Sequence, residues 1–144
     1  MSNDRGLIAV ARVRGVEERT SRVALERALQ QVKKRELELR TRQEMIRGAS
    51  RFLRGSAADF VHTRVSLGHM AQGAREAERR LEESRQQASA AHRTWLERKT
   101  RLRAVELLLE RREERNREER NRREQAELDE AANQIWLRQQ KVAG

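Results

Sequence analysis

The apolar positions of this chain are sparse and periodic. After Trp95 come Leu102, Val105 and Leu109, at spacings of 7, 3 and 4. That alternation keeps one narrow stripe of a helix facing a partner at about 3.5 residues per turn. Upstream the same stripe takes in Leu67, Met70, Ala74, Ala77, Leu81, Ser84, Ala88 and Ala91. Between Trp95 and Ala132 there is no Gly or Pro, and Ala, Leu, Glu, Arg and Gln dominate. These residues lose least on entering a helix. The pattern predicts one long helix over about 74–140.

The amino-terminal third carries a second stripe: Leu25, Leu29, Val32, Leu39, Ile46, Leu53, Ala57 and Phe60. Its frame also passes through Glu36, Gln43 and Ser50, and polar core positions weaken a seam and leave it dependent on its partner. Val13, Val16, Thr20 and Val23 repeat on a frame that does not join Leu25, which predicts a stutter and local unwinding of the supercoil. Ser2, Asn3 and Asp4 are all good N-caps, so this helix is expected over about 4–54.

Gly48, Gly55, Gly68 and Gly73, with Ser50, Ser56 and Ser66, separate the two patterns. Each helix-interior Gly costs about 1 kcal/mol relative to Ala, and the expected break is a connector over about 55–73. The run Ala57, Ala58, Phe60, Val61, Val65, Leu67, Met70 within it is apolar enough for a short helix of its own. Two arms of similar length around a central break predict a single all-α domain over 1–144. Its fold is a long antiparallel two-helix coiled-coil hairpin, with or without a short connecting helix. A monomer follows from that arrangement; an uninterrupted parallel dimer is the competing architecture.

Composition narrows the class. Of the 144 residues 39% are charged, 36% hydrophobic and 3% aromatic, too little apolar material for a compact core but enough for stripes along rods. There is no Cys, which fits a reducing compartment. The early apolar run Leu7–Ala11 is too short for a signal or membrane segment, so a soluble, intracellular protein is expected. The net charge of +10 is uneven: +7 over 1–54, +1 over 55–94 and +2 over 95–144. Such an excess favours an acidic protein surface, a nucleic acid or an anionic membrane. In the apolar gap after Leu109, Glu113, Glu118 and Glu119 each precede an Arg by four residues, pairs worth roughly 0.2–0.5 kcal/mol that keep a helix formed without packing.

Nothing in the chain predicts catalysis. His62, His69 and His92 do not share the three- or four-residue spacing that places two ligands on one helix face. No phosphate-binding glycine loop or nucleophile elbow occurs, and the carboxylates are scattered along helix faces. No enzyme activity, metal, cofactor or small-molecule substrate is expected. Arg40, Arg47, Arg51 and Arg54 share a face that is either a solvated surface or a basic docking patch. Beside it lie Phe52, Leu53, Phe60, Val61, Leu67 and Met70, more apolar surface than a two-helix tip can bury. Nucleic-acid binding would need stacking aromatics or a reading module that the two Trp and two Phe do not supply. Trp95 reads as a seam residue, whereas Trp136, between Ile135 and Leu137, reads equally as end packing or as a partner contact.

Trp95, Lys99 and Leu102, followed by Glu124, Gln125, Leu128, Asp129, Glu130 and Ala132, resemble the carboxyl-terminal helix of the FliJ family of flagellar export proteins. The EQ-x-x-LDE-x-A ending after the Glu/Arg run is the most specific part, and the likeness extends over nearly the whole chain. It implies a cytoplasmic component, peripheral to the inner membrane, of the flagellar type III export apparatus, shaped like the central stalk of a rotary ATPase. The partners it implies are a FliI-like export ATPase hexamer, a FlhA-like export gate and export chaperones. Glu124, Gln125, Leu128 and Asp129, with Ile135 and Trp136, become the expected ATPase contacts. Arg47, Arg51, Phe52, Arg54, Phe60, Val61, Leu67 and Met70 become the expected gate contacts. The chain has no Tyr, a departure from the family's aromatic positions in that middle segment. A basic nucleic-acid-binding coiled coil, a scaffold dimer and the equivalent stalk of a virulence secretion system are the alternatives.

Overall fold

The computed structural model describes residues 2–51 and 57–143. Two helices account for nearly all of them: α1, Ser2–Ser50, and α2, Ala57–Ala143. Among the described residues there is no strand. The expected all-α hairpin is therefore the fold, built without a third helix among those residues. Asp4 sits in the first turn of α1 and Asp59 in that of α2, with Arg47 and Lys141 in the last turns, each sign matched to the helix dipole it faces. At the end of α1 the Arg51 amide donates to the Gly48 carbonyl (3.3 Å) and the Ser50 hydroxyl to the Arg47 carbonyl (2.9 Å). These bonds take up carbonyls that the ending helix leaves free.

The chain divides into two compact units, residues 14–100 and residues 1–13 with 101–144. In the first of these the buried residues are Ala74, Ala77, Leu81, Ser84 and Ala88. They repeat every three or four residues along α2, the seam spacing expected for that helix. Four of the five are small, which permits a close approach of α1 there, and Leu81, 5% exposed, is the one large side chain among them. The cross-helix contacts run in reverse order along the two helices. Glu17 meets Arg98, Glu18 meets Trp95 and Glu36 meets Arg85, so the pair is antiparallel. In the other unit Asp4 pairs with Arg112 at 3.3 Å, and Leu7, Ala11, Leu102, Val105 and Leu109 are half-buried.

Three expectations are revised. Leu29 does not belong to the seam. It is 48% exposed, while Leu25, Ala28, Val32, Leu39 and Ile46 are half-buried. The expected stutter is absent too: Val13 and Val16 are 57% and 54% exposed, and the half-buried positions Arg14, Glu18 and Ser21 lead into Leu25 without a break in spacing. The frame thus runs through polar residues whose charges are paired and whose stems pack. Lastly, the glycine-marked segment is helical from Ala57, and α1 ends at Ser50, before residue 54. Gly73 is half-buried, with the Arg42 side chain lying where a Cβ would project, so its missing side chain makes room for a cross-helix contact. Gly68 has open space around it, and its helix cost is small beside the cooperativity of a long helix.

These placements set stabilities that chemical denaturation measures. Leu81→Ala is expected to lower the unfolding free energy by about 2–3 kcal/mol, and Leu29→Ala by less than about 0.5 kcal/mol. Gly68→Ala, which meets nothing, is expected to raise it by roughly 0.5–1 kcal/mol.

Candidate functional site

The candidate sites of this fold are surfaces along its two helices. In the unit made of residues 1–13 and 101–144, every described residue from Glu113 to Ala143 is exposed. This stretch remains helical because Arg, Glu, Gln and Ala favour a helix and because local bonds support it. Glu113 pairs with Arg117 (3.8 Å), and Gln125 Nε2 donates to Asp129 Oδ1 (3.3 Å). The expected ATPase contacts all fall on it. Leu128 is 65% exposed and Ile135 and Trp136 are each 56% exposed, with Glu124, Gln125 and Asp129 exposed beside them. Trp136 therefore makes no end-of-helix packing contact that covers it. Closer to α1, Asp4 and Arg5 line an open groove with Glu113, Asn116, Glu119 and Arg120.

In the unit of residues 14–100 the expected gate contacts separate into two groups. Arg47, Arg51, Phe60 and Val61 are exposed, as is Val65. Leu67 and Met70 are half-buried at seam spacing with Ala74 and Ala77, so they are partly used by the hairpin itself. Phe52 and Arg54 lie outside the described residues.

The same unit contains a polar cluster that the apolar pattern did not reveal. Trp95 Nε1 donates to Glu18 Oε1 at 3.1 Å. The Lys99 ammonium stands 4.8 Å from the centre of the Trp95 ring, and the His92 ring packs beside it at 5.9 Å. Beside Glu18, Glu17 Oε2 accepts from Arg14 and from Arg98, one turn after Trp95, each at 3.0 Å. The hydrogen bond from Arg14, joined by that from Arg98 and by the charge of both, holds the Glu17 carboxyl below its ordinary value. Trp95 is a seam residue as expected; its polar partner Glu18 is not visible from apolar spacing. Extending the Leu39, Val32, Leu25 frame backward by sevens reaches Glu18, Ala11 and Asp4, the signal that the exposed valines obscured. The bonds of the cluster that cross between the helices fix their register. Among the described residues no group of His, Asp and Glu is placed to hold a metal ion, and no helix is long and apolar enough to cross a membrane.

The hairpin has a thin seam, charged faces and exposed apolar positions near its helix ends. The family model described as "Flagellar FliJ protein" matches residues 4–141, and the chain belongs to that family, a component of flagellar protein export. No curated protein and no solved structure matches it.

The Glu17 contact has a pH signature. A carboxyl held below its ordinary value adds stability above that value and loses it as the pH falls through the lowered one. The thermal midpoint is therefore expected to drop more between pH 6 and about pH 3 in the natural protein than in Glu17→Gln, as circular dichroism would record.

Proposed function

We propose that this chain is a stalk-like, non-enzymatic link of the flagellar type III export apparatus, joining the export ATPase to the export gate and to export chaperones. The observation that carries this reading is the family match over residues 4–141 together with the uncovered helix from Glu113 to Ala143. A helix that stays formed while its side chains are free can enter a ring of subunits and present Glu124, Leu128, Asp129, Ile135 and Trp136 to them. Its charged pairs suit a contact that must pass from one subunit to the next. Exposed ion pairs are worth about 0–1 kcal/mol, so exchanging one for another carries little barrier. The exposed residues Arg47, Arg51, Phe60 and Val61 are assigned to the gate, because they combine apolar area with basic charge that forms no ion pair among the described residues. This role places the protein in the cytoplasm at the inner membrane, held there by its partners. It needs no cofactor and no small-molecule substrate.

The experiment is binding and activity with the purified export ATPase and the cytoplasmic part of the gate protein. The full chain is expected to bind the hexamer and raise its ATP hydrolysis. Leu128→Asp with Trp136→Asp should weaken that binding at least tenfold, about 1.4 kcal/mol, with helicity unchanged. Phe60→Asp with Val61→Asp should weaken gate binding and leave the ATPase response intact. Absence of binding to either protein by the natural chain would overturn the proposal.

A further inference from the structure

The exposed part of α2 carries a stripe that the hairpin does not use. Leu128, Ala132, Ile135, Gln139 and Val142 follow one another at spacings of 4, 3, 4 and 3, with Gln125 three residues before. All are exposed. This is seam spacing, but not the seam of the hairpin. The frame of Leu102, Val105, Leu109 and Arg112 leads on to Asn116, Glu119, Arg123 and Ala126, two positions out of step with Leu128. At about 100° per residue a two-position offset turns the new stripe roughly half a turn around the helix. A helix that simply prolonged the line of α1 would face Asn116 and Arg123 and leave Leu128 and Ile135 uncovered.

Charge selects what can cover it. On one flank of the stripe Glu124 and Glu127 stand at the start and Arg138 and Lys141 at the end. Among the described residues these four make no ion pair within the chain. Seam positions Gln125, Leu128 and Ala132 of one copy fall opposite Val142, Gln139 and Ile135 of a second copy laid antiparallel, so every layer is filled. The same register brings Glu124 near Lys141 and Glu127 near Arg138 along one side of the pair, once at each end. A parallel pair would set Glu124 beside Asp129 of the other copy on both sides, a like-charge contact.

We propose that two copies of this chain associate through residues 125–142 of α2 as an antiparallel, two-fold symmetric helix pair. Each hairpin remains closed within its own chain, and the second copy adds a partner only to the stripe that α1 leaves bare. The pairing does not rest on the stalk reading, but it uses Leu128 and Ile135, so a copy engaged in it is not free to present those residues elsewhere. Charge complementarity of this kind fixes orientation and partner more than it adds strength, and the interface is short. The association is therefore weak and depends on concentration.

The test is sedimentation equilibrium of the full chain, alone, over a concentration range up to about 1 mM. The average mass is expected to climb from 16.9 kDa toward twice that value, and Ile135→Asp to hold it at the monomer, with helicity retained because Ile135 is already exposed. Glu124→Lys with Glu127→Lys, and separately Arg138→Glu with Lys141→Glu, should each weaken association at least fivefold. Mixing the two variants should restore it, since each then meets its opposite charge. Three results would overturn the proposal: a monomer at every concentration, a dimer indifferent to Ile135→Asp, or stronger association in the Glu124→Lys variant. The last is what parallel pairing demands, because the new Lys would face Asp129. A monomer that nevertheless binds the export ATPase would remove this inference and leave the proposed function standing.

Discussion

The close approach permitted by Ala74, Ala77, Ser84 and Ala88 around Leu81 is the constraint on which the hairpin depends. These residues form the buried set among those described, and small side chains bring backbones near at little cost in ordered rotamers. They also supply little apolar area, at about 25 cal/mol per Å² removed from water. The burial that holds the two helices together is therefore modest, and the seam needs contributions from polar groups to define which residues meet.

Those contributions come from a few charged and aromatic side chains. Arg14, Arg98 and Glu17 form a shared set of hydrogen bonds, and Trp95 reaches Glu18 across the helix pair. None is deeply buried, so the desolvation penalty that makes interior ion pairs poor stabilisers is reduced, while each pairing penalises a shift of register. Specificity here is carried by polar contacts and proximity by alanines. Such a division leaves much of the apolar content of α1, including Val13, Val16, Val23 and Leu29, on the outside.

The family assignment makes the chain a component of flagellar protein export. The stretch from Glu113 to Ala143 keeps its helix without burying a side chain, because its residues need no tertiary contact to be helical. Leu128 and Trp136 are among the apolar groups that this leaves exposed.

Helix identity, the near absence of a globular core and the small-residue stripe of α2 were legible from residue order alone, because they depend on local propensity and on spacing along one helix. The positions from Leu67 to Leu109 predicted for that seam are all half-buried or buried, alongside others such as Gly73 and Arg98. The surface that carries Leu128, Ile135 and Trp136 was also legible, as apolar residues beyond the end of the seam. Which face of α1 turns inward was not. Leu29 and Ala28 both lie within helical reach of Leu25, and hydrophobicity favours the leucine. Packing chose Ala28, because the facing stripe is small and the frame through Ala28 also brings Glu18 and Arg14 to their partners. The glycines misled for a similar reason. A Gly weakens a helix by a local amount, whereas the contacts of a whole helix with its neighbour determine whether it continues, and those exist only once the chain has folded back on itself.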